Sequence, residues 1–126
     1  KAAFCLLLAL GVCRGMAEAA AEQLAGKGIR VSVADARFAA PLSREWLLKL
    51  TKKYPRILTI EDHIHTGGFG MKVRDILAEE RAKSQARILA LPDCFIEQGK
   101  REVLLSRYGI SAEGIQKAVE NWNAEA

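Results

Sequence analysis

The chain has 126 residues, half of them hydrophobic and 27% charged, which is the length of one domain with a real core and excludes a disordered tail. Only 6% are aromatic while 20 are alanine, so an aliphatic, helix-rich core is expected rather than a β-sandwich full of rings. The net charge of +4 carries no suggestion of nucleic acid, because basic and acidic residues interleave and few aromatics lie among them to stack bases.

Residues 3–10 follow Lys1 as an apolar run that imitates a secretory signal peptide. The run stops at Gly11, and Gly11-Val12-Cys13-Arg14-Gly15 offers no small-x-small cleavage site. Val12 before Cys13 argues against a lipoprotein, and no stretch approaches the ~20 apolar residues of a membrane span. The run reads as a strand buried on both faces, which is continuous rather than alternating. Met16, Ala17, Ala20, Ala21 and Leu24 then recur at helical spacing up to Gly26 and Gly28, and Ile29–Ala34 alternates as a strand. Strand, helix and strand make a βαβ unit, and a signal peptide would not be followed by its own crossover helix.

The alternation continues. Ser43 is a good N-cap, with Leu42 and Leu47 spaced for a hydrophobic staple, for a helix that turns Trp46, Leu47 and Leu50 inward. Arg56–Ile60 predicts a third strand, Glu61–Gly70 a polar, glycine-rich loop, Met71 to about Glu80 a helix, and Arg87–Leu91 a fourth strand ended by Pro92. A helix around Lys100–Arg107 stops at Gly109. Ser111 caps a last helix with Ile115, Val119 and Trp122 at i, i+4 and i+7. The order implies a three-layer α/β/α domain, with a four-stranded parallel sheet covered by helices on both faces.

Ligands of such sheets sit beyond the carboxyl ends of the strands, where the strand order reverses. Two loops suit that position by composition: Gly11–Gly15, with Arg14 as its charge, and Glu61, Asp62, His63, then Gly67, Gly68, Phe69 and Gly70. The three glycines of the second let backbone approach something closely, an anion at a helix start or, more simply, another protein surface. Neither loop has the GxGxxG spacing or the Gly-Lys-Ser/Thr ending of nucleotide sites. His63 and His65 at i, i+2 are not a metal-ligand spacing, so no metal is assigned. Cys5, Cys13 and Cys94 form no CxxC pair, nothing joins a thiol to a histidine, and Cys5 reads as a small core residue of a reduced, cytosolic chain. No catalytic residue is assigned. From the residues alone the chain is a parallel α/β domain with one functional-looking loop.

Several segments together resemble a known family. They are Leu8-Ala-Leu-Gly11, Ala34-Asp-Ala-Arg-Phe38 with Pro41-Leu42, Glu61-Asp62 leading to Gly67-Gly-Phe-Gly70, and Leu91-Pro-Asp93 with Phe95-Ile-Glu97 and Gly99. With Arg101-Glu102, Gly109 and Ala112-Glu-Gly-Ile115 they are similar, in order and spacing, to the C-terminal domain of 1-deoxy-D-xylulose-5-phosphate synthases from about Leu6 to Val119. The Leu-Pro-Asp-x-Phe-Ile-Glu-x-Gly segment favours that family over transketolases and the β subunits of 2-oxoacid dehydrogenases, which share the fold. Gln98 and Cys94 depart from the family's usual residues.

The resemblance implies a parent enzyme of three domains that uses thiamine diphosphate and magnesium to condense pyruvate with glyceraldehyde 3-phosphate, opening non-mevalonate isoprenoid synthesis. It places cofactor and substrates in the two preceding domains. This chain has no Gly-Asp-Gly motif and no cofactor of its own is expected. Its implied part is packing against those domains and support of a homodimer. The implied strand order is 2-1-3-4, which sets the two loops side by side. The family's antiparallel edge strand precedes the first parallel one, and a chain starting at Lys1 is expected to lack it. The alternative to an assembly domain is a free-standing binder of a phosphate ligand through Gly67–Gly70.

Overall fold

The computed structural model describes residues 2–36, 43–93 and 100–126. The expected staple partner Leu42 lies outside them, as do Arg37, Phe38 and Pro41, and so do Cys94 and the Phe95–Gly99 part of the signature segment. Nine elements follow in chain order: β1 (Cys5–Ala9), α1 (Cys13–Gly26), β2 (Val31–Asp35), α2 (Arg44–Lys53), β3 (Arg56–Ile64), α3 (Phe69–Glu79), β4 (Gln85–Leu91), α4 (Arg101–Arg107) and α5 (Ala112–Glu125).

The four strands are parallel and ordered β2-β1-β3-β4. β1 is central, and its apolar run follows from that place, because alternate side chains enter two separate cores. Cys5, Leu7 and Ala9 join Cys13, Ala17, Ala20 and Leu24 of α1 with Ile115, Val119 and Trp122 of α5. Leu6 and Leu8 join Leu47 of α2 with Val73, Ile76 and Leu77 of α3. All five residues of β1 are buried. The chain steps from β1 to β2 through α1 on one face, then crosses back over β1 to β3 through α2 on the other. The order therefore reverses between β1 and β3.

Helix starts follow local chemistry. The Ser43 hydroxyl accepts from Trp46 N–H at 3.2 Å, and that of Ser111 accepts from Gly114 N–H at 3.0 Å. Gly109 adopts φ +82°, and a Cβ on Gly114 would stand 2.0 Å from the Gly109 carbonyl oxygen, so both glycines are needed where α4 turns into α5.

β2 spans Val31–Asp35 rather than Ile29–Ala34 and β4 opens at Gln85 rather than Arg87, and three boundaries near the carboxyl ends of β1 and β3 differ in ways that bear on the site. β3 runs on to Ile64, so Glu61, Asp62 and His63 lie in a strand; after a register shift Ile64 pairs with Leu91. Their polarity reads as a loop, but Glu61 finds partners inside the fold, as described below. α1 begins at Cys13, which puts Arg14 and Gly15 in its first turn: the Leu10 and Gly11 carbonyls accept from Cys13 and Arg14 N–H at 3.2 and 3.1 Å, and the buried Cys13 anchors the turn. α3 begins at Phe69 rather than Met71.

Because β1 is packed on both faces, Leu6→Ala and Leu7→Ala are each expected to cost about 2–5 kcal/mol. Urea unfolding of the two variants checks this; a strand with one solvated face would be sensitive at only one of the two positions.

Candidate functional site

The carboxyl ends of β1 and β3 are joined directly, Leu10 N–H donating to the Ile60 carbonyl at 2.9 Å. Beyond them stand the Gly11–Val12 turn, with Gly11 at φ +61°, and the turn from Ile64 to Gly68 that feeds α3. The two segments singled out in the sequence are neighbours here, but their residues do different things.

Glu61 is fully buried. Its side chain leaves β3 on the α3 side, and the carboxylate accepts from the first two amides of that helix, Phe69 N–H to Oε1 at 3.0 Å and Gly70 N–H to Oε2 at 2.7 Å. A carboxylate against the positive end of a helix satisfies donors that would otherwise be orphaned, and Gly68 has no side chain to do so. The glycines serve this contact. A Cβ on Gly68 would lie 2.2 Å from Glu61 Oε1 and 2.7 Å from the Ile64 carbonyl oxygen; one on Gly70 would meet Thr59 Oγ1 at 2.5 Å and Ile88 at 2.8 Å. The close approach read from the glycines is thus made to the chain's own Glu61 and to β3 and β4. An anion arriving from outside would have to displace a buried carboxylate.

Around this plug, Asp62 is held by Arg101 at the start of α4, whose Nη2 donates to the Asp62 carbonyl at 2.6 Å and to Oδ2 at 3.4 Å. His63 is exposed beside Asp62, its Nε2 3.5 Å from Oδ1. Arg14 turns away from the β1–β3 junction, pairing with Asp35 at 3.3 Å and Glu18 at 3.6 Å. Gly15 is exposed on α1 with open space where a Cβ would stand. Thr66 donates to Asp93 from its amide at 3.2 Å and its hydroxyl at 2.5 Å, tying the turn to the end of β4. Those bonds, led by the hydroxyl, hold the Asp93 carboxyl below the usual carboxylate range. Asp93 and Arg101 stood in the sequence only as parts of the family resemblance; no periodicity marks them, because each acts across more than 25 positions.

The thiols belong to packing. Burial pushes both Cys5 and Cys13 up to about 12, with the Asp62 and Glu61 charges adding to the rise at Cys13. Among the described residues no group of three or more His, Cys, Asp and Glu side chains is placed to hold a metal ion, and no helix is long and apolar enough to cross a membrane. The large apolar side chains exposed among the described residues are Val12 (61%), Ile64 (42%) and Val103 (55%). Val12 follows β1, Ile64 ends β3, and Val103 lies in the first turn of the helix that Arg101 ties to Asp62.

The sheet is doubly wound and parallel, the start of α3 at its switch point is closed from within by Glu61, and this order of strands and helices defines the class of α/β domain to which the chain belongs. The chain belongs to the family described as transketolase, C-terminal domain, whose model matches residues 3–115. It is 42% identical over 117 residues to the 1-deoxy-D-xylulose-5-phosphate synthase of Aquifex aeolicus, covering 93% of this chain and 19% of that one. It is 39% identical over 121 residues to 1-deoxy-D-xylulose-5-phosphate synthase 2 of Geobacter sulfurreducens, covering 95% and 19%. The chain thus spans about a fifth of the length of these relatives. Among solved structures, a split-gene transketolase described as an inactive beta4 tetramer superposes with a TM-score of 0.83 at 28% identity, over 96% of this chain and 39% of that one. The transketolase of Campylobacter jejuni, at 0.64 and 16% over 96% and 17%, shares the fold.

Glu61→Ala leaves the half-buried Phe69 amide and the buried Gly70 amide without their partner and is expected to cost about 3 kcal/mol, with Gly68→Ala also destabilising through its clash with the same carboxylate; urea unfolding checks both. In a Cys94→Ser background, Cys5 and Cys13 are expected to resist a disulfide-exchange reagent at pH 8 until the protein unfolds. Rapid labelling of either in the native state would contradict the burial described above.

Proposed function

We propose that this chain is the C-terminal domain of a 1-deoxy-D-xylulose-5-phosphate synthase, the last of three domains, and that the whole protein is a cytoplasmic homodimer. The enzyme would condense pyruvate with glyceraldehyde 3-phosphate, with loss of carbon dioxide, using thiamine diphosphate and magnesium. Support comes from the names of relatives about 40% identical over nine-tenths of the chain. Their greater length leaves room for the parts that bind cofactor and substrate.

The domain's own part is assembly. The observation that carries this reading is Glu61: the amides at the start of α3, the group best suited to a diphosphate, are taken by a buried side chain. The sequence also has no Gly-Asp-Gly segment. The residues present do not fit thiamine diphosphate, and no chemical step is assigned to them. The surface around Gly11, Val12, Ile64 and Val103 is suited to packing against the rest of the longer chain: three exposed apolar side chains, with the charges of Asp62 and Arg101 paired to each other rather than left for a ligand. Gly67 and His63, at its rim, belong to the same surface, and Arg14 and Gly15 stand at its edge.

A chimera tests this reading. When residues 3–119 replace the matching segment of the Aquifex aeolicus synthase, the chimera is expected to form 1-deoxy-D-xylulose 5-phosphate. Introducing Val12→Asp with Ile64→Asp is expected to lower that activity at least tenfold while the isolated 126-residue chain carrying the same changes stays folded by circular dichroism. An active chimera unaffected by the double change would remove this surface from the interface, and micromolar binding of thiamine diphosphate by the isolated chain would overturn the assembly role.

A further inference from the structure

The amino end of the sheet carries a feature that the assembly role does not use. There the last turn of α2 is tied to the turn that leads from α3 into β4. The Ser84 hydroxyl donates to the Tyr54 carbonyl at 2.6 Å and lies 3.0 Å from that of Thr51, and Gln85 N–H donates to the Pro55 carbonyl at 2.9 Å. Ala82 packs into the same core as Leu50 and Tyr54. These contacts bring four cations to one corner, Lys52 and Lys53 from α2 with Arg81 and Lys83 from the turn, and all four are exposed.

The carboxylates of the corner are engaged elsewhere. Glu79 and Glu80, at the end of α3, both pair with Arg44, at 2.5 and 3.1 Å, and Glu45 lies 3.9 Å from Lys49. Arg44 leaves one negative charge over, and against it stand four cations with no carboxylate partner among the described residues, an excess of three. One turn back along α3, Arg74 and Asp75 cancel. On the α5 face of the sheet, Arg56 and Arg87 stand with Glu125 and the carboxylate of Ala126 and add no net negative charge. The carbonyl ends of α2 and α3 together are worth about one negative charge, which does not account for the excess.

Arg81 is also held against its backbone preference. Three helices end in the same pair of hydrogen bonds: Gly28 and Ile29 donate to Ala25 and Leu24, Gly109 and Ile110 to Ser106 and Leu105, and Arg81 and Ala82 to Ala78 and Leu77. The central residue is left-handed in each, at φ +84°, +82° and +53°, and in the third it is an arginine where glycine fits without strain. Its guanidinium has no partner among the described residues.

We propose that Lys52, Lys53, Arg81 and Lys83 form a docking surface for an acidic polypeptide segment, a run of Asp and Glu side chains on a partner protein. The cations come from two separate segments, which suits charges spread along a chain rather than one compact anion. The ring among them, Tyr54, is buried, with Lys53 Nζ 5.6 Å from its centroid, and offers no platform for a base. The surface lies away from the switch point and is independent of the assembly reading.

The test is a titration of fluorescein-labelled poly-L-glutamate with the 126-residue chain at low ionic strength, followed by anisotropy. Saturable binding is expected. Lys52→Gln with Lys83→Gln is expected to weaken it at least fivefold, and Lys72→Gln with Lys117→Gln, which removes the same charge from exposed positions elsewhere, less than twofold. Arg81→Gly, which relieves the backbone, is expected to weaken binding at least threefold without lowering the urea midpoint. No saturable binding, equal losses in the two double variants, undiminished binding by Arg81→Gly, or tighter binding of an oligothymidylate of equal charge would overturn the surface.

Discussion

The contact between the Glu61 carboxylate and the first amides of α3 is the constraint around which the carboxyl end of the sheet is organised. It joins β3 to the helix that follows it, at the one place where an open α/β sheet usually leaves a gap for a ligand. Three local features depend on it. Gly68 and Gly70 are small because the carboxylate, Thr59 and Ile88 occupy the space a side chain would need. β3 continues four residues past Ile60 because Glu61, the first of them, is satisfied inside the fold. Asp62, next along, is left free to face the other way and hold Arg101 and with it the start of α4.

From this follows the division of labour between the two ends of the sheet. At the carboxyl end Glu61, Asp62 and Arg14 find partners within the domain, and the apolar side chains of Val12, Ile64 and Val103 are exposed. At the amino end the reverse holds: Lys52, Lys53, Arg81 and Lys83 are exposed with no carboxylate partner among the described residues.

Much of this was legible in the sequence because it depends on local periodicity. The continuous apolar run of β1, the small residues of α1 at helical spacing and the serine caps of α2 and α5 each state their structure within a dozen residues. The strand order came from the family resemblance, which is longer-ranged information, and the four parallel strands have that order. The site was legible only in part. Glycines between Glu61 and Gly70 announced a close approach, but composition does not say to what, and a buried carboxylate nine residues away is as good a partner as an incoming anion. Arg14 looked like a site charge by its place in a loop, whereas the helix start at Cys13 turns it toward Asp35. Thr66 with Asp93 and Asp62 with Arg101 are pairings across strands and helices, which no spacing rule reports.

The central claim, that the switch point is filled by the domain's own carboxylate, is tested most directly at the amides themselves. In ¹H–¹⁵N spectra of the 126-residue chain, the Phe69 and Gly70 signals should be protected from exchange and unmoved by millimolar thiamine diphosphate with magnesium, and should lose that protection in Glu61→Ala. Saturable movement of those two amides on adding the cofactor to the wild-type chain would contradict the account.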